Sequence, residues 1–198
     1  MKSRICVFCG SSLGSNPSYV AAAEALGEAI AHNGYSLVYG GGNIGLMGVI
    51  ADKVLDGGGH VTGIMPEHLA AHEIAHRNIQ DLQLVEDMME RKKALIAQSD
   101  MFIAMPGGFG TLDELSEVIT WNQLKLIEKP VGLLNVNGFF DHLLAFINRA
   151  VEDNLIRQEH QDSIVIEQDP NQLLSGLKNT QSVTMEKWIR DIKSEKRI

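Results

Sequence analysis

The sequence predicts an α/β fold, a Rossmann-like doubly wound parallel sheet with helices on both faces. Three observations carry this expectation. Short apolar runs alternate with amphipathic or alanine-rich stretches long enough for a helix, the pattern of strand–helix–strand units. Ten of the nineteen glycines cluster at Gly40-Gly41-Gly42, Gly45, Gly57-Gly58-Gly59 and Gly107-Gly108-Phe109-Gly110, each beside such a run. Hydrophobic residues make up 44% of the chain against 21% charged, enough apolar material for strands buried on both faces.

The elements follow in order. Residues 5–9 read as a buried strand, 10–16 as a turn-rich loop, and 17–32 as an alanine-rich helix that Asn33-Gly34 ends. The unit recurs as a strand over 36–39, a loop over 40–45, a helix over 46–56 stopped by Gly57 to Gly59, and a strand over 60–65. Residues 66–85 are irregular, with a strand near 82–85. A helix over 87–98, a strand over 101–105, a loop over 106–110 and a long helix over 111–127 come next. A strand over 131–134, a helix over 139–153 and a strand over 163–166 complete the sheet. The tail after Asp169 reads as a short helix and then a basic one from Met185, where Lys187, Arg190, Lys193, Lys196 and Arg197 outnumber Asp191 and Glu195. At 198 residues the chain is expected to form one domain over 1–198, with a helical tail from about 170.

Charge and hydropathy narrow the function classes. Seventeen Lys and Arg against 25 Asp and Glu leave a net charge of −8, the wrong sign for a general phosphate-backbone binder, so no nucleic-acid partner is expected. No apolar run reaches the ~18 residues of a membrane span, and residues 5–9 are too short for the apolar core of a signal peptide. A soluble, cytoplasmic protein with no membrane partner is the expectation.

In doubly wound sheets ligands sit beyond the carboxyl ends of the strands, and three loops here follow strands and precede helices. Gly10-Ser11-Ser12, residues 40–45 and residues 106–111 are therefore expected to face one crevice. Gly40-Gly41-Gly42-Asn43-Ile44-Gly45 fits G-x-G-x-x-G, but it follows the second strand rather than the first. The acidic residue a dinucleotide site needs is at best Glu67, behind Pro66. A contact to a mononucleotide phosphate or ribose and a purely structural tight turn stand beside the dinucleotide reading.

Cys6-Val7-Phe8-Cys9 matches C-x-x-C, but a strand points positions i and i+3 to opposite faces, so two small buried side chains are expected rather than a redox or zinc pair. His68, His72 and His76 stand at helical spacing without a partner carboxylate pattern, and loop-packing or solvent-exposed roles are expected, with no metal site.

Pro106-Gly107-Gly108-Phe109-Gly110-Thr111-Leu112-Asp113-Glu114 is the strongest element. Thr111 and Glu114 fit a capping box, yet capping alone does not require three glycines and a proline before it. A phosphate-binding loop at a helix amino end does. A carboxylate one turn from a bound phosphate suits the adjacent sugar, where positive charge develops as a glycosidic bond breaks. Asp87-Met88-Met89-Glu90 opens a helix carrying Arg91-Lys92-Lys93 in its first half, where the macrodipole prefers anions, which suggests either an anionic partner or a solvated basic face.

Taken together, Cys9-Gly10-Ser11-Ser12, Val38-Tyr39-Gly40-Gly41-Gly42 with Gly45-Leu46-Met47-Gly48, Glu90-Arg91-Lys92, and the Pro106-Gly107-Gly108 element followed by Trp121 and Lys129-Pro130-Val131-Gly132-Leu133-Leu134 resemble the LONELY GUY (LOG) family over about residues 4–155. Its members are cytokinin riboside 5′-monophosphate phosphoribohydrolases, many once labelled lysine decarboxylases. The resemblance implies hydrolysis of the N-glycosidic bond of AMP or an N6-substituted AMP to free base and ribose 5-phosphate, with a nucleoside monophosphate as small-molecule partner and no cofactor. It implies a catalytic pair at Arg91 and Glu114. It implies substrate contacts at Glu73, Arg91, Lys92, Gly107, Gly108, Phe109, Gly110, Thr111, Leu112, Asp113 and Thr120.

The chain departs from the family pattern at Met89, often His; at Phe109, commonly Tyr; and at Asp113, frequently Glu. These departures leave the reaction intact and bear on the choice of base. No lysine stands in a recognisable pyridoxal-phosphate context, which sets the decarboxylase label aside. A non-catalytic nucleotide-binding or carrier protein is the alternative that the same loops would serve. Leu112, Leu115, Val118, Ile119, Trp121, Leu124, Leu126 and Ile127 extend round more of the 111–127 helix than one sheet-facing stripe needs. With the family's habit of dimers, this predicts a homodimer, the alternative being that the tail after Asp169 covers the same face.

Overall fold

The computed structural model describes residues 2–70 and 75–180. Seven strands, β1 (Arg4–Phe8), β2 (Ser36–Tyr39), β3 (His60–Pro66), β4 (Asp81–Val85), β5 (Met101–Ala104), β6 (Val131–Leu134) and β7 (Ile164–Glu167), form one sheet in the order β4-β3-β2-β1-β5-β6-β7. Every pairing is parallel, with β1 in register against both β2 and β5. The strand order reverses between β1 and β5, so the crevice for a ligand lies beyond the carboxyl ends of these two strands.

The helices divide by face. Helix α1 (Pro17–His32), α2 (Gly45–Asp56) and α8 (Pro170–Asn179) cover one side, burying Leu26, Ile30, Ile50, Val54, Leu173 and Leu177 against Ile5, Val7 and Leu37. Helix α4 (Met88–Ala97), α5 (Phe109–Gln123) and α6 (Asp141–Glu152) cover the other, where Leu95, Leu115, Val118 and Phe140 meet Cys6, Phe8 and Phe102. The alternation along β1 is the period-2 rule at work. It places Cys6 in the second core and Cys9 in the first, both as buried free thiols on opposite faces, as the sequence reading expects.

Local chemistry sets the ends. Asn16 caps α1 by accepting from the Ser18 N–H at 3.0 Å, with Pro17 at the first helical position. Asp87 caps α4 by accepting from the Glu90 N–H at 2.8 Å. Between β3 and β4 the irregular stretch holds only a single turn, α3 (Glu67–Ala70), among the described residues.

Four expectations are corrected. The Thr111–Glu114 capping box does not form: α5 begins at Phe109 with Gly108 as its N-cap, so Thr111 is already inside the first turn and buried. The same helix ends at Gln123 rather than Ile127, because the Asn122 side chain donates to the Lys129 carbonyl at 2.9 Å and accepts the Lys129 N–H at 3.0 Å, folding the chain back with Lys125 at φ 59°. Helix α6 starts at Asp141, behind a 3₁₀ turn, because the Asn135 side chain accepts the Phe140 N–H. A short helix α7 (Gln158–Asp162), absent from the sequence reading, precedes β7. The basic helix expected from Met185 and the site residue Glu73 lie outside the described residues.

Candidate active site

Three loops meet at the carboxyl ends of β1, β2 and β5. The Gly10 N–H donates to the Pro106 carbonyl at 3.1 Å, and the Leu46 N–H donates to the Gly10 carbonyl at 3.1 Å. Gly45, at φ 63°, lies against the Ser11–Ser12 backbone, where any Cβ would fall 2.2 Å from the Ser11 carbonyl carbon. Only glycine allows that approach. A cavity of about 380 Å³ opens above these loops, lined by Cys9, Gly10, Ser11, Gly40, Gly42, Arg91, Glu114 and the amino end of α5 from Gly108 to Thr111. The three strand-end loops therefore share one crevice, as the sequence reading expects.

The amino end of α5 opens into this cavity. Gly108, Phe109, Gly110 and Thr111 start α5 with its unpaired N–H groups turned to the cavity end of the helix. Gly107 is glycine for packing: a Cβ there would stand 2.1 Å from Thr111 Oγ1 and 2.9 Å from the Gly10 nitrogen. One turn on, about 5 Å along the axis, the Glu114 carboxylate faces the same space.

Arg91 reaches this carboxylate from α4. Its Nη1 is 3.3 Å from Glu114 Oε1, and the two side chains are 13% and 11% exposed. The Arg91 Nε donates to the Ile64 carbonyl at the end of β3 at 3.1 Å. Its Nη2 lies over Gly40, in the space a Cβ would occupy, 2.0 Å from that position. The glycine triplet is thus partly a seat for the guanidinium. Burial pushes the Glu114 carboxyl above its ordinary value, Arg91 and Lys92 pull it down, and Asp113 and Glu117 push it up. Burial likewise raises the Cys9 thiol on the cavity floor, with the Glu114 charge adding to it, so Cys9 stays protonated.

The remaining sequence-derived positions fall in different places. Lys92 does not line the cavity; its Nζ is 3.1 Å from Asp113 Oδ2 and 3.2 Å from Glu117 Oε2. Asp113, Leu112 and Thr120 are exposed along α5 and do not line the cavity either. Phe109 does, with 93% of its surface open to solvent.

The structure adds Met47, Met65 and Leu69, which the sequence reading missed; with Ile44 of the 40–45 loop they give the cavity an apolar wall. Their only sequence signal was position, at the end of the third strand and in the segments that follow the second and third strands. Of the three spaced histidines, His76 is buried beside the glycine triplet. Its Nε2 is 3.0 Å from Asp52 Oδ1, and its backbone N–H donates to the Gly41 carbonyl at 2.8 Å, a packing role. Among the described residues no group of His, Cys, Asp and Glu is arranged to hold a metal ion.

A family model described as "Possible lysine decarboxylase" matches residues 47–177. The probable cytokinin riboside 5′-monophosphate phosphoribohydrolase LOGL6 of Oryza sativa subsp. japonica is 48% identical over 88% of this chain and 70% of its own. The cytokinin riboside 5′-monophosphate phosphoribohydrolase LOG3 of Arabidopsis thaliana is 48% identical over 88% of this chain and 81% of its own. Among solved structures, the molybdenum cofactor binding protein of Rippkaea orientalis superposes with a TM-score of 0.68 at 24% identity, covering 90% of this chain and 96% of that one. The molybdenum cofactor carrier protein of Chlamydomonas reinhardtii gives 0.69 at 20% identity, covering 91% and 98%. At these identities the structural likeness shows a shared fold. With nearly half its residues shared with the two plant proteins over most of both lengths, the chain belongs to the LONELY GUY (LOG) family.

Proposed function

We propose that this protein hydrolyses the N-glycosidic bond of an adenosine 5′-monophosphate, AMP or an N6-substituted cytokinin-type nucleotide, to free base and ribose 5-phosphate. The relatives' names point to this reaction. One observation carries it here: a buried Arg91–Glu114 pair set one helical turn from a glycine-rich helix amino end, inside one cavity.

The chemistry follows from that spacing. The N–H groups from Gly108 to Thr111 hold the 5′-phosphate, so binding energy remote from the reacting bond fixes the ribose. As the bond from C1′ to the base nitrogen breaks, its electron pair leaves with the base and positive charge grows on the sugar. The Glu114 carboxylate lies where it stabilises that charge and orients the attacking water, whose oxygen bonds C1′ while its proton passes to the carboxylate and on to the base. Arg91 holds Glu114 in place and supplies a cation toward the sugar and phosphate. The apolar wall of Ile44, Met47, Met65 and Leu69 offers the base a flexible surface. Incubation with AMP, scored for free adenine, tests the reading; a glutamine at position 114 separates a catalyst from a carrier that uses the same loops.

The protein is further proposed to act as a homodimer in the cytoplasm. Leu112, Leu124 and Leu126 are 36%, 46% and 64% exposed on α5 and the turn after it, a surface that a second copy would cover. Two free thiols fit a reducing compartment. No helix among the described residues is long and apolar enough to cross a membrane.

A further inference from the structure

Lys92 follows Arg91 in the chain, yet the two side chains leave α4 in different directions. Arg91 enters the cavity, whereas Lys92 lies behind it, beside Phe8, Leu95 and Ile96. The Lys92 side chain is only 14% exposed, and its ammonium sits between Asp113 and Glu117, at 3.1 and 3.2 Å. These carboxylates flank Glu114 on α5. Glu117 Oε2 is buried with no donor aligned on it, so the charge facing it is the Lys92 ammonium. Helices α4 and α5, which belong to different halves of the sheet, therefore meet at three ion pairs. Arg91–Glu114 is inside the cavity, and the two that Lys92 makes are behind it.

We propose that Lys92, held by Glu117 and Asp113, is a positioning residue that locks α4 against α5 and so sets the Arg91–Glu114 geometry, and that it is not a ligand of the substrate's phosphate. This rests on the nucleotide-hydrolysis reading and deepens it. A phosphate at the amino end of α5 would have to draw the ammonium off two carboxylates and past Glu114, and the cavity already offers backbone N–H groups that need no such rearrangement. Losing the ammonium would instead leave Glu117 buried and uncompensated, and the helices would move apart where Arg91 and Glu114 meet.

The same cluster surrounds Glu114 with charge: Arg91 and Lys92 from α4, Asp113 and Glu117 from α5. The protonated thiols of Cys6 and Cys9 on β1 are the other titratable neighbours. The cations favour the ionised carboxylate and the two acids oppose it, which gives the proposal signed consequences.

The test uses the full chain, with AMP as substrate and ribose 5-phosphate as inhibitor. Replacing Lys92 by Met is expected to lower kcat about tenfold or more and to move the acid limb of kcat/KM to higher pH. KM for AMP and the ribose 5-phosphate inhibition constant should stay within about threefold of wild type. Lys92→Arg should restore most of kcat. Glu117→Gln, which removes an acid that opposes ionisation, should move the acid limb to lower pH, and it carries the test if Lys92→Met fails to fold. A rise of about tenfold in both KM and the inhibition constant with kcat unchanged would make Lys92 a phosphate ligand and overturn the proposal. So would an unmoved acid limb in Glu117→Gln. A wild-type protein that releases no adenine would overturn the hydrolase reading and this one together, whereas an active wild type with the phosphate-ligand pattern overturns this one alone.

Discussion

Replacing Gly40 by alanine should disable the site while leaving the fold in place. A Cβ at this position would stand 2.0 Å from Arg91 Nη2 and 3.1 Å from Cζ. Ordinary contact begins near 3.4 Å, so the guanidinium must retreat by about 1.4 Å. That retreat breaks the 3.3 Å contact with Glu114 and strains the 3.1 Å bond from Nε to the Ile64 carbonyl. Misplacing a reacting group by ~1 Å costs on the order of 10²-fold in rate, so kcat/KM for AMP should fall by about that factor. Stability should change little. The obstructing group is the far end of a flexible side chain, and Gly40 does not have a positive φ. A Gly-to-Ala change at such a site gains ~0.4–1 kcal/mol through the unfolded chain, which offsets part of the lost pair, and Tm should stay within ~5 °C. The assay is release of adenine from AMP by the single variant, by Arg91→Ala and by the double variant. Because Gly40 acts through Arg91, it should add almost nothing once Arg91 is gone. Wild-type kcat/KM in Gly40→Ala, or an equal loss in the Arg91→Ala background, would refute the reasoning.

Three further outcomes are expected. Glu114→Gln should lower kcat by ~10²-fold or more with the fold retained. In the wild type the acid limb of kcat/KM should lie above the ordinary value of a glutamate, because burial raises Glu114 and the reaction needs it ionised; near-wild-type turnover in the Gln variant would leave Glu114 with no catalytic role. Free adenosine should be a much poorer substrate than AMP, since the N–H groups from Gly108 to Thr111 would have nothing to hold; comparable kcat/KM for the two would remove the phosphate site. Light scattering at micromolar concentration should find about twice the 21.7 kDa chain mass, lost when Leu124 and Leu126 become polar, and a persistent monomer would refute the dimer.

Much of the fold was legible because local and global signals agree. Asn16-Pro17 opens α1 where capping chemistry places it, and period-2 alternation sends Cys6 and Cys9 to opposite cores. The errors lie where a distant side chain decides the backbone. The leucines after Gln123 continue a helical apolar pattern, but Asn122 binds Lys129 and turns the chain first. Thr111 and Glu114 read as a cap, but Glu114 is drawn to Arg91 and Gly108 opens the helix. In the site, glycine clustering and the strand–loop–helix order were enough to place three loops at one crevice. The approach of Arg91 to Glu114 was not readable from spacing, because the two sit on separate helices and meet only through the order of the sheet; family resemblance supplied the pair. Resemblance also grouped Lys92 with the substrate contacts, and no sequence signal shows that its ammonium is taken by Asp113 and Glu117.

The central claim is that the cavity between the 106–111 loop and the Arg91–Glu114 pair cleaves a nucleotide rather than only holding one. The most direct measurement is a product balance: purified protein is incubated with AMP and, separately, with N6-isopentenyladenosine 5′-monophosphate, and free base and ribose 5-phosphate are quantified together over time. Base and ribose 5-phosphate should appear in equal amounts from at least one of the two, and Glu114→Gln should abolish both. Tight binding of either nucleotide with no base released, or release of inorganic phosphate and nucleoside instead, would contradict it.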